Sequence, residues 1–220
     1  MVAAMMVAAI SANAQNEVGQ LTLKPTVGLN IASMTKGEDT KVRPGFVAGV
    51  EAEYGVSENF GVQFGLLYSQ QGVKGKNIDF GELDFDENDN VVGGWAFSGD
   101  ATLKLDYINI PILAQYYPVK GLALKAGIQP GFNVFKKAKF DGKLYQASVQ
   151  GGNERSYTES RSLKGEGIKS FQFAIPVGVS YEYANFVFDA RYNIYLTKAV
   201  KDSDSRHSVF SFTLGYKFAL

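Results

Sequence analysis

The sequence has 220 residues, and its 22 Lys and Arg are balanced by 22 Asp and Glu. A chain without net charge has no general attraction for nucleic acid. It contains no cysteine, which excludes disulfide bonds, thiolate metal sites and a cysteine nucleophile. No run of about 18 apolar residues follows the N-terminus, so the sequence predicts no transmembrane helix.

The first 14 residues, MVAAMMVAAISANA, are apolar and end in the small-residue motif Ala12-Asn13-Ala14. An apolar stretch followed by an A-x-A motif is typical of a cleaved signal peptide. We therefore predict a signal peptide at residues 1–14 and a single domain over residues 15–220. A short buried helix is the alternative interpretation of the same stretch.

Eight segments of the predicted mature chain alternate between apolar side chains and polar or small ones. Successive side chains point to opposite faces of a strand, so this period of two predicts β-strands with one apolar face. The last segment shows the period most clearly, because Phe210, Phe212 and Leu214 alternate with Ser211 and Thr213. The predicted strands are residues 21–33, 46–54, 60–71, 103–117, 122–135, 171–183, 186–196 and 209–220.

The connections between these strands alternate in length. Those after the second, fourth and sixth strands are short, and those after the first, third, fifth and seventh are long. The two longest, residues 72–100 and 136–167, are polar and show no periodicity, which predicts loops. Short turns at one end and long loops at the other are typical of bacterial outer-membrane barrels.

A soluble eight-stranded barrel with an apolar cavity is the competing interpretation. The apolar faces carry no charged residue in any predicted strand, and lipid enforces such an exclusion more strictly than a soluble cavity does. Aromatic residues also concentrate near both ends of the strands, as at two lipid–water interfaces. The sequence therefore predicts an all-β protein, an eight-stranded antiparallel up-and-down transmembrane β-barrel in the bacterial outer membrane, in contact with lipid and lipopolysaccharide.

Charged residues on the opposite, inward faces are balanced in number. An eight-stranded barrel has an interior just wide enough for side chains, so these groups are expected to meet and fill it. Two of them, Glu182 and Lys217, lie near strand ends, and we interpret them as residues that contact interfacial water. The other six form a hypothetical electroneutral ion-pair plug: Lys24, Glu51, Glu53, Lys125, Asp189 and Arg191.

The predicted last strand resembles the terminal strand of outer-membrane barrels. Its closing signal has a glycine followed at the third and fifth positions by large apolar residues, which are Gly215, Phe218 and Leu220 here. The resemblance implies that the barrel assembly machinery recognises these residues. The sequence departs from the pattern in ending on Leu220 rather than on an aromatic residue.

Four further stretches resemble the PorT-like outer-membrane barrel family of Bacteroidota, in the family's order and spacing. They are LYSQQG at residues 67–72, YINIPIL at 107–113, ARYN at 190–193 and LGYKF at 214–218. The resemblance implies an eight-stranded outer-membrane barrel, and some members of the family take part in protein secretion. Where the family often has lysine after the Ile-Pro strand, this chain has Gln115. No enzymatic residue is carried over.

Two stretches contain side chains that could form a chemical site. The acidic segment 84–88 resembles a calcium loop but lacks the glycine at the sixth position, where Asp89 stands, which favours a solvated loop. His207 has Asp204 and Ser205 nearby in sequence, but proximity in sequence does not make a catalytic triad. We therefore expect no catalytic residue, no cofactor and no metal site.

Four prolines lie inside predicted strands: Pro25, Pro111, Pro130 and Pro176. Proline cannot donate a hydrogen bond to a strand ladder, so we predict bulges there and changes of face beyond them. Three functions remain open. They are structural, adaptor or recognition work through the long loops, a secretion accessory role with partners in the cell envelope, and an enzyme that uses His207.

Overall fold

The computed structural model describes residues 18–35, 40–88, 90–148, 151–162, 167, 169–199 and 206–220. The predicted signal peptide lies outside these ranges. No helix within them is long and apolar enough to cross a membrane. The strands are β1 (Leu21–Met34), β2 (Thr40–Lys41), β3 (Arg43–Ser57), β4 (Phe60–Phe85), β5 (Val91–Asn109), β6 (Ile112–Val119), β7 (Leu122–Ser148), β8 (Gly151–Ser162), β9 (Phe171–Tyr183), β10 (Phe186–Tyr195), β11 (His207–Tyr216) and β12 (Phe218–Ala219).

The strands close into a ring, because β1 pairs with β3 on one side and with β11 and β12 on the other. Around the ring the order is β1, β3, β4, β5 with β6, β7, β9, β10, and β11 with β12. β5 and β6 pair with successive parts of β4 and together serve as one barrel strand. The prediction of an eight-stranded antiparallel barrel is confirmed.

Two-residue turns join the strands at one end of the ring: Glu58-Asn59, Lys120-Gly121 and Ala184-Asn185. Ala184 and Asn185 both have positive φ angles, of 47° and 69°. Two successive positive φ angles are typical of the type I′ hairpin turn, whose twist matches that of the strands. Outer-membrane barrels have short turns on the periplasmic side, which assigns the opposite end to the outside of the cell.

Side chains alternate between the lumen and the outer surface of the ring. The outward residues at mid-strand are large, apolar and exposed, and Leu29, Leu66 and Phe188 each have more than half of their surface accessible. Aromatic rings pair across neighbouring strands near both rims, as Phe60 does with Tyr116 at 5.0 Å between ring centroids. An apolar outer surface bounded by aromatic rings is the surface that lipid requires.

The strand prolines do not alter the barrel as predicted. The pairing register does not shift at Pro25, Pro130 or Pro176, so the prediction of bulges and face changes there is wrong. Pro111 separates β5 from β6, but residues on both sides of it keep their faces. The amide of a strand residue serves only one neighbouring strand, so each proline removes a single ladder hydrogen bond.

Three strands continue far beyond the ring. The far parts of β4, β5 and β7 join β8 in a four-stranded antiparallel sheet in the order β4, β5, β7, β8. We call it the outer sheet, and it comprises residues 76–85, 91–105, 136–148 and 151–162. The prediction of aperiodic loops over residues 72–100 and 136–167 is therefore wrong for most of their described residues.

The polarity of the two faces is exchanged between the ring and the outer sheet, and β5 shows this along one strand. Near the ring, the apolar Ile108 faces outward and the polar Asn109 faces the lumen. Further along, the buried Phe97 continues the lumen side and the exposed Ser98 continues the outward side. An outward face needs apolar residues only where it contacts lipid, so the exchange marks the edge of the membrane.

Two irregularities hide this pattern in the sequence. The register of β4 against β5 shifts between Gly75 and Ile78, and β7 carries an extra residue at Val134. After each shift, the even-numbered and odd-numbered residues of the strand exchange faces. Phe80 and Phe140 therefore lie on the lumen-side face. A constant period of two therefore fails along β4 and β7, although both segments are strands.

Candidate functional sites in the lumen and the outer sheet

A cluster of buried charges crosses the lumen. The Arg191 guanidinium binds the Glu51 carboxylate through two hydrogen bonds of 2.6 and 3.0 Å, and Arg191 Nε is 2.6 Å from Asp189 Oδ1. Lys24 Nζ lies 2.9 Å from Glu51, and Lys125 Nζ lies 2.6 Å from Asp189. These five residues come from β1, β3, β7 and β10, so the cluster ties together strands that are not neighbours.

A second cluster lies around Glu53, the remaining member of the predicted six. Lys217 Nζ is 2.6 Å from Glu182 and 3.3 Å from Glu53, and the Tyr117 hydroxyl also donates to Glu53. Glu182 and Lys217 are both buried, which differs from the interpretation that they contact interfacial water. The neighbours of Lys217 at the end of β11 and the start of β12 face the lipid. Successive side chains of a strand point to opposite faces, so Lys217 faces the lumen.

The two clusters compensate each other in charge. The first has three cations and two carboxylates, and the second has one cation and two carboxylates. Further from the short turns the lumen is filled by uncharged groups. Gln71 donates to the Tyr195 hydroxyl at 2.9 Å, and Ser211 donates to Asn30 at 2.7 Å. Side chains thus occupy the lumen from one rim toward the other.

Gly215 makes room for this network. A methyl group at its Cα would lie 2.7 Å from Cγ of Lys24 and 3.0 Å from the Pro25 carbonyl oxygen, which is tighter than ordinary contact. Phe218 packs against Tyr216 with ring centroids 4.7 Å apart, and Leu220 is exposed. The three residues of the predicted assembly signal therefore differ in their surroundings.

His207 is the first residue of β11 and is buried inside the ring. Its Nε2 atom is 3.4 Å from the Tyr107 hydroxyl, and its ring also contacts Tyr195. Asp204 and Ser205, which the enzyme hypothesis needs, lie outside the described residues. The described surroundings of His207 are therefore aromatic packing.

The acidic segment 84–88 leads into the turn between β4 and β5. The Asp86 carboxylate accepts hydrogen bonds from the backbone amides of Asn88 and Asn90, at 2.8 and 2.9 Å. The amide of Asn90 lowers the pKa of Asp86 below its usual value, because it stabilises the charged form. The carboxylate thus orders the turn itself, and no metal-binding group of acidic or histidine side chains occurs among the described residues.

A pocket of about 580 Å³ lies on the lumen-side face of the outer sheet. Phe97 forms its buried floor, and the rings of Phe80 and Trp95 stand beside it with their surfaces partly exposed. Phe80 lies 5.0 Å from Phe97 and 5.8 Å from Trp95 between ring centroids. Phe140 and Tyr157 complete the aromatic wall. We call this the aromatic pocket.

Polar groups form the rim of the aromatic pocket. They are the amide of Gln146, the carboxylate of Glu159 and the guanidinium of Arg161, all on exposed residues of β7 and β8. The Tyr157 hydroxyl donates to Glu159 and holds its carboxylate at the rim. Sequence reasoning missed this site because it assigned these segments to loops. The alternation of Trp95, Phe97, Leu103 and Leu105 along β5 is the signal that could have found it.

Comparison with known families gives one match. A model described as the outer membrane protein beta-barrel domain covers residues 13–200 of this chain. No curated protein matches the sequence.

Several solved structures are similar in fold. The Ail attachment invasion locus protein of Yersinia pestis is 14% identical, with 92% of this chain and 100% of that chain covered and a TM-score of 0.45. Neisserial surface protein A is 16% identical, with coverages of 90% and 97% and a TM-score of 0.45. OprG of Pseudomonas aeruginosa is 14% identical, with coverages of 93% and 98% and a TM-score of 0.38. Likenesses at this level transfer no activity to this chain.

Proposed function

Since the chain belongs to the outer membrane protein beta-barrel domain family, we propose that it is a non-enzymatic outer-membrane barrel with a closed lumen that recognises a ligand outside the cell. The barrel anchors the protein in the outer membrane, and the outer sheet carries the recognition surface. The observation that supports the proposal most directly is the exchange of polarity along β5. It gives the outer sheet an apolar lumen-side face that the membrane does not need.

The ion pairs support the closed lumen. A pore needs a continuous water-filled path, whereas here carboxylates and cations from strands that are not neighbours are in direct contact within the lumen. The charges in the two clusters cancel, so the lumen has no net attraction for ions of either sign. Eight-stranded barrels leave space for side chains rather than for a channel.

Planar-bilayer recording tests the closed lumen. We expect the purified protein to show no steady single-channel conductance, because the clusters occlude the path. Replacement of Arg191 and Lys125 together by Ala removes side chains that span the lumen and is expected to introduce a measurable leak. A large steady conductance of the unaltered protein would refute this part of the proposal.

Removal of the outer sheet tests the recognition part. A variant in which short turns replace residues 76–100 and 136–162 keeps the ring, the ion pairs and the short turns. We expect it to fold in detergent with the heat-modifiable gel mobility of a closed barrel while losing extracellular ligand binding. A variant that fails to fold would show that the outer sheet serves the stability of the barrel rather than recognition.

The absence of enzymatic activity is part of the proposal. The only histidine, His207, packs between Tyr107 and Tyr195 inside the ring. A His207→Ala variant is expected to retain any activity found in native membranes. Loss of a lipid-modifying or proteolytic activity in this variant would instead establish a catalytic barrel.

A second candidate function is an accessory role in a PorT-type secretion machinery of Bacteroidota. It is favoured by the four sequence stretches that resemble that family, in the same order and spacing. Affinity purification of the protein from native outer membranes separates the candidates. Stable envelope protein partners at fixed stoichiometry would favour the secretion role, and a protein recovered without them would favour ligand recognition.

A further inference from the structure

The aromatic pocket has the size of a small-molecule site. Its volume of about 580 Å³ lies well inside the range of ligand pockets, which is roughly 300–1,000 Å³. Such sites combine an apolar lining with a few polar groups that fix the orientation of the ligand. The rings of Phe80, Trp95, Phe97 and Phe140 provide the lining, and Gln146, Glu159 and Arg161 provide the polar groups.

The angles between the rings restrict the shape of the ligand. Phe80 is nearly perpendicular to Trp95, at 86°, and is inclined by 70° to Phe140 and by 37° to Phe97. These rings therefore form a corner rather than a slot with parallel walls. Such a corner contacts a puckered ring, which has C–H bonds on more than one side, through more than one aromatic face.

The rim restricts the polarity of the ligand. The carboxylate of Glu159, the guanidinium of Arg161 and the amide of Gln146 each present two neighbouring acceptors or donors. Groups of this kind bind pairs of adjacent hydroxyls, and the carboxylate and guanidinium do so with charge-assisted hydrogen bonds. The positive and negative groups are both present, so the rim does not select an ion of one sign. An acyl chain has no hydrogen-bonding group along its length to offer to this polar rim.

We propose that the aromatic pocket binds a neutral sugar ring of an extracellular glycan. A pyranose presents an apolar C–H face, which packs on the electron-rich face of an aromatic ring, and an edge of neighbouring hydroxyls that the rim can bind. This inference rests on the proposed recognition function and adds the chemical class of the ligand. It applies to uncharged sugars, because both signs of charge stand at the rim.

Trp95 provides a direct measurement. It is the only tryptophan in the sequence and lines the aromatic pocket, so its fluorescence reports on the occupancy of this site. The full-length protein in lipid nanodiscs is titrated with methyl glycosides of glucose, galactose and mannose and with uncharged di- and trisaccharides. We expect a saturable change in Trp95 emission with at least one of these sugars.

Variants test whether the signal comes from the proposed contacts. Phe80→Ala removes one wall and Glu159→Gln removes the charge of one rim group, and each is expected to weaken binding by about tenfold or more. Tyr145→Ala is the matched control, because Tyr145 is an exposed aromatic residue of β7 on the opposite face. The control variant is expected to bind the sugar as the unaltered protein does.

The competing ligands are included in the same titration. A response to sulfated sugars, adenosine or a fatty acid with none to neutral sugars would overturn the proposal. No response to neutral sugars in a protein with ordinary gel mobility would also overturn it, while leaving the recognition function to another ligand. The proposed recognition function is tested separately, with the variant that lacks the outer sheet. It is refuted if cells that carry this variant bind extracellular ligands as well as cells that carry the unaltered protein.

Discussion

Arg191 on β10 holds both carboxylate oxygens of Glu51 on β3, across strands that are not neighbours in the ring. Both side chains are buried, so neither charge has water as an alternative partner. Removing two charges from water is costly, and a buried pair offsets that cost only while both partners remain. The arrangement is therefore sensitive to the loss of one partner.

Replacement of Arg191 by Met tests this sensitivity. The variant leaves Glu51 and Asp189 without their shared cation, and we expect the free energy of unfolding to fall by about 3–5 kcal/mol. Urea titration of the protein folded in detergent measures the change. Arg206→Met, at an exposed residue before β11, is the control and is expected to change the stability by less than about 0.5 kcal/mol. Equal effects of the two substitutions would contradict the prediction.

A double-mutant cycle tests whether Lys217 and Glu182 are buried in the lumen, as in the structure, or contact interfacial water, as we interpret them from the sequence. We expect Lys217→Met and Glu182→Gln to be coupled by more than about 1 kcal/mol, because the pair is shielded from solvent. The pair Lys143–Glu154 in the outer sheet is the control. Its side chains are 66% and 55% exposed, and such pairs are coupled by about 0.2–1 kcal/mol. Similar coupling in both cycles would support the interfacial description.

An arginine scan locates the edge of the membrane. Leu66→Arg places a charge on the outward face of the ring and is expected to destabilise the folded protein in lipid vesicles by about 2–4 kcal/mol. Ser98→Arg places the same charge on the outward face of the outer sheet, where we expect an effect below about 0.5 kcal/mol. A large cost at Ser98 would mean that lipid also covers the outer sheet.

The turn between β9 and β10 contains a strained residue. Ala184 has a φ of 47°, in the left-handed region that asparagine and glycine adopt more readily than alanine. We expect Ala184→Asn to raise the free energy of unfolding by about 0.5–1 kcal/mol. Urea titration in detergent measures this, with Glu58→Asn in another two-residue turn as the comparison. A loss of stability in Ala184→Asn would show that its conformation is not a source of strain.

The predicted assembly signal is tested by kinetics in cells. Phe218→Ala is expected to slow insertion by the barrel assembly machinery, while refolding of the purified protein in detergent proceeds at its usual rate. Phe212→Ala, on the outward face of the same barrel strand, is the matched control and is expected to assemble normally. The appearance of the heat-modifiable form in pulse–chase samples measures both. Equal delays would mean that apolar area, rather than position in the signal, determines recognition.

The ring could be predicted from the sequence because a single rule applies along each of its strands. Lipid excludes charge from one face and the narrow lumen accepts small and polar groups on the other, so residues such as Leu29 and Asn30 reveal their positions directly. The order of strands followed from the short turns. The prediction of bulges at the prolines was wrong because each proline removes only one ladder hydrogen bond. The pattern of residues along a strand does not show that the effect is this small.

The outer sheet could not be predicted in the same way. Its strands lie outside the membrane, so their outward face is polar and the rule of alternation that identifies the ring is reversed. Register shifts after Gly75 and at Val134 then break the period within β4 and β7. The partners of Lys217 were missed for a different reason. Burial near a strand end depends on which side chains meet across the lumen, and that is set by the closed ring.

The length of β5 beyond the membrane edge determines where a ligand meets this protein. Asp106 is the first polar residue after Ile108 on the outward face of β5, and from it to Phe97 the strand extends about 30 Å along its own direction. The headgroup layer on each side of a bilayer is only about 5–8 Å deep. Even on a tilted strand, the aromatic pocket therefore stands above the headgroups, within reach of molecules dissolved in the surrounding medium. Capture at this height requires no partition into lipid, so membrane-impermeant compounds are suitable occupants.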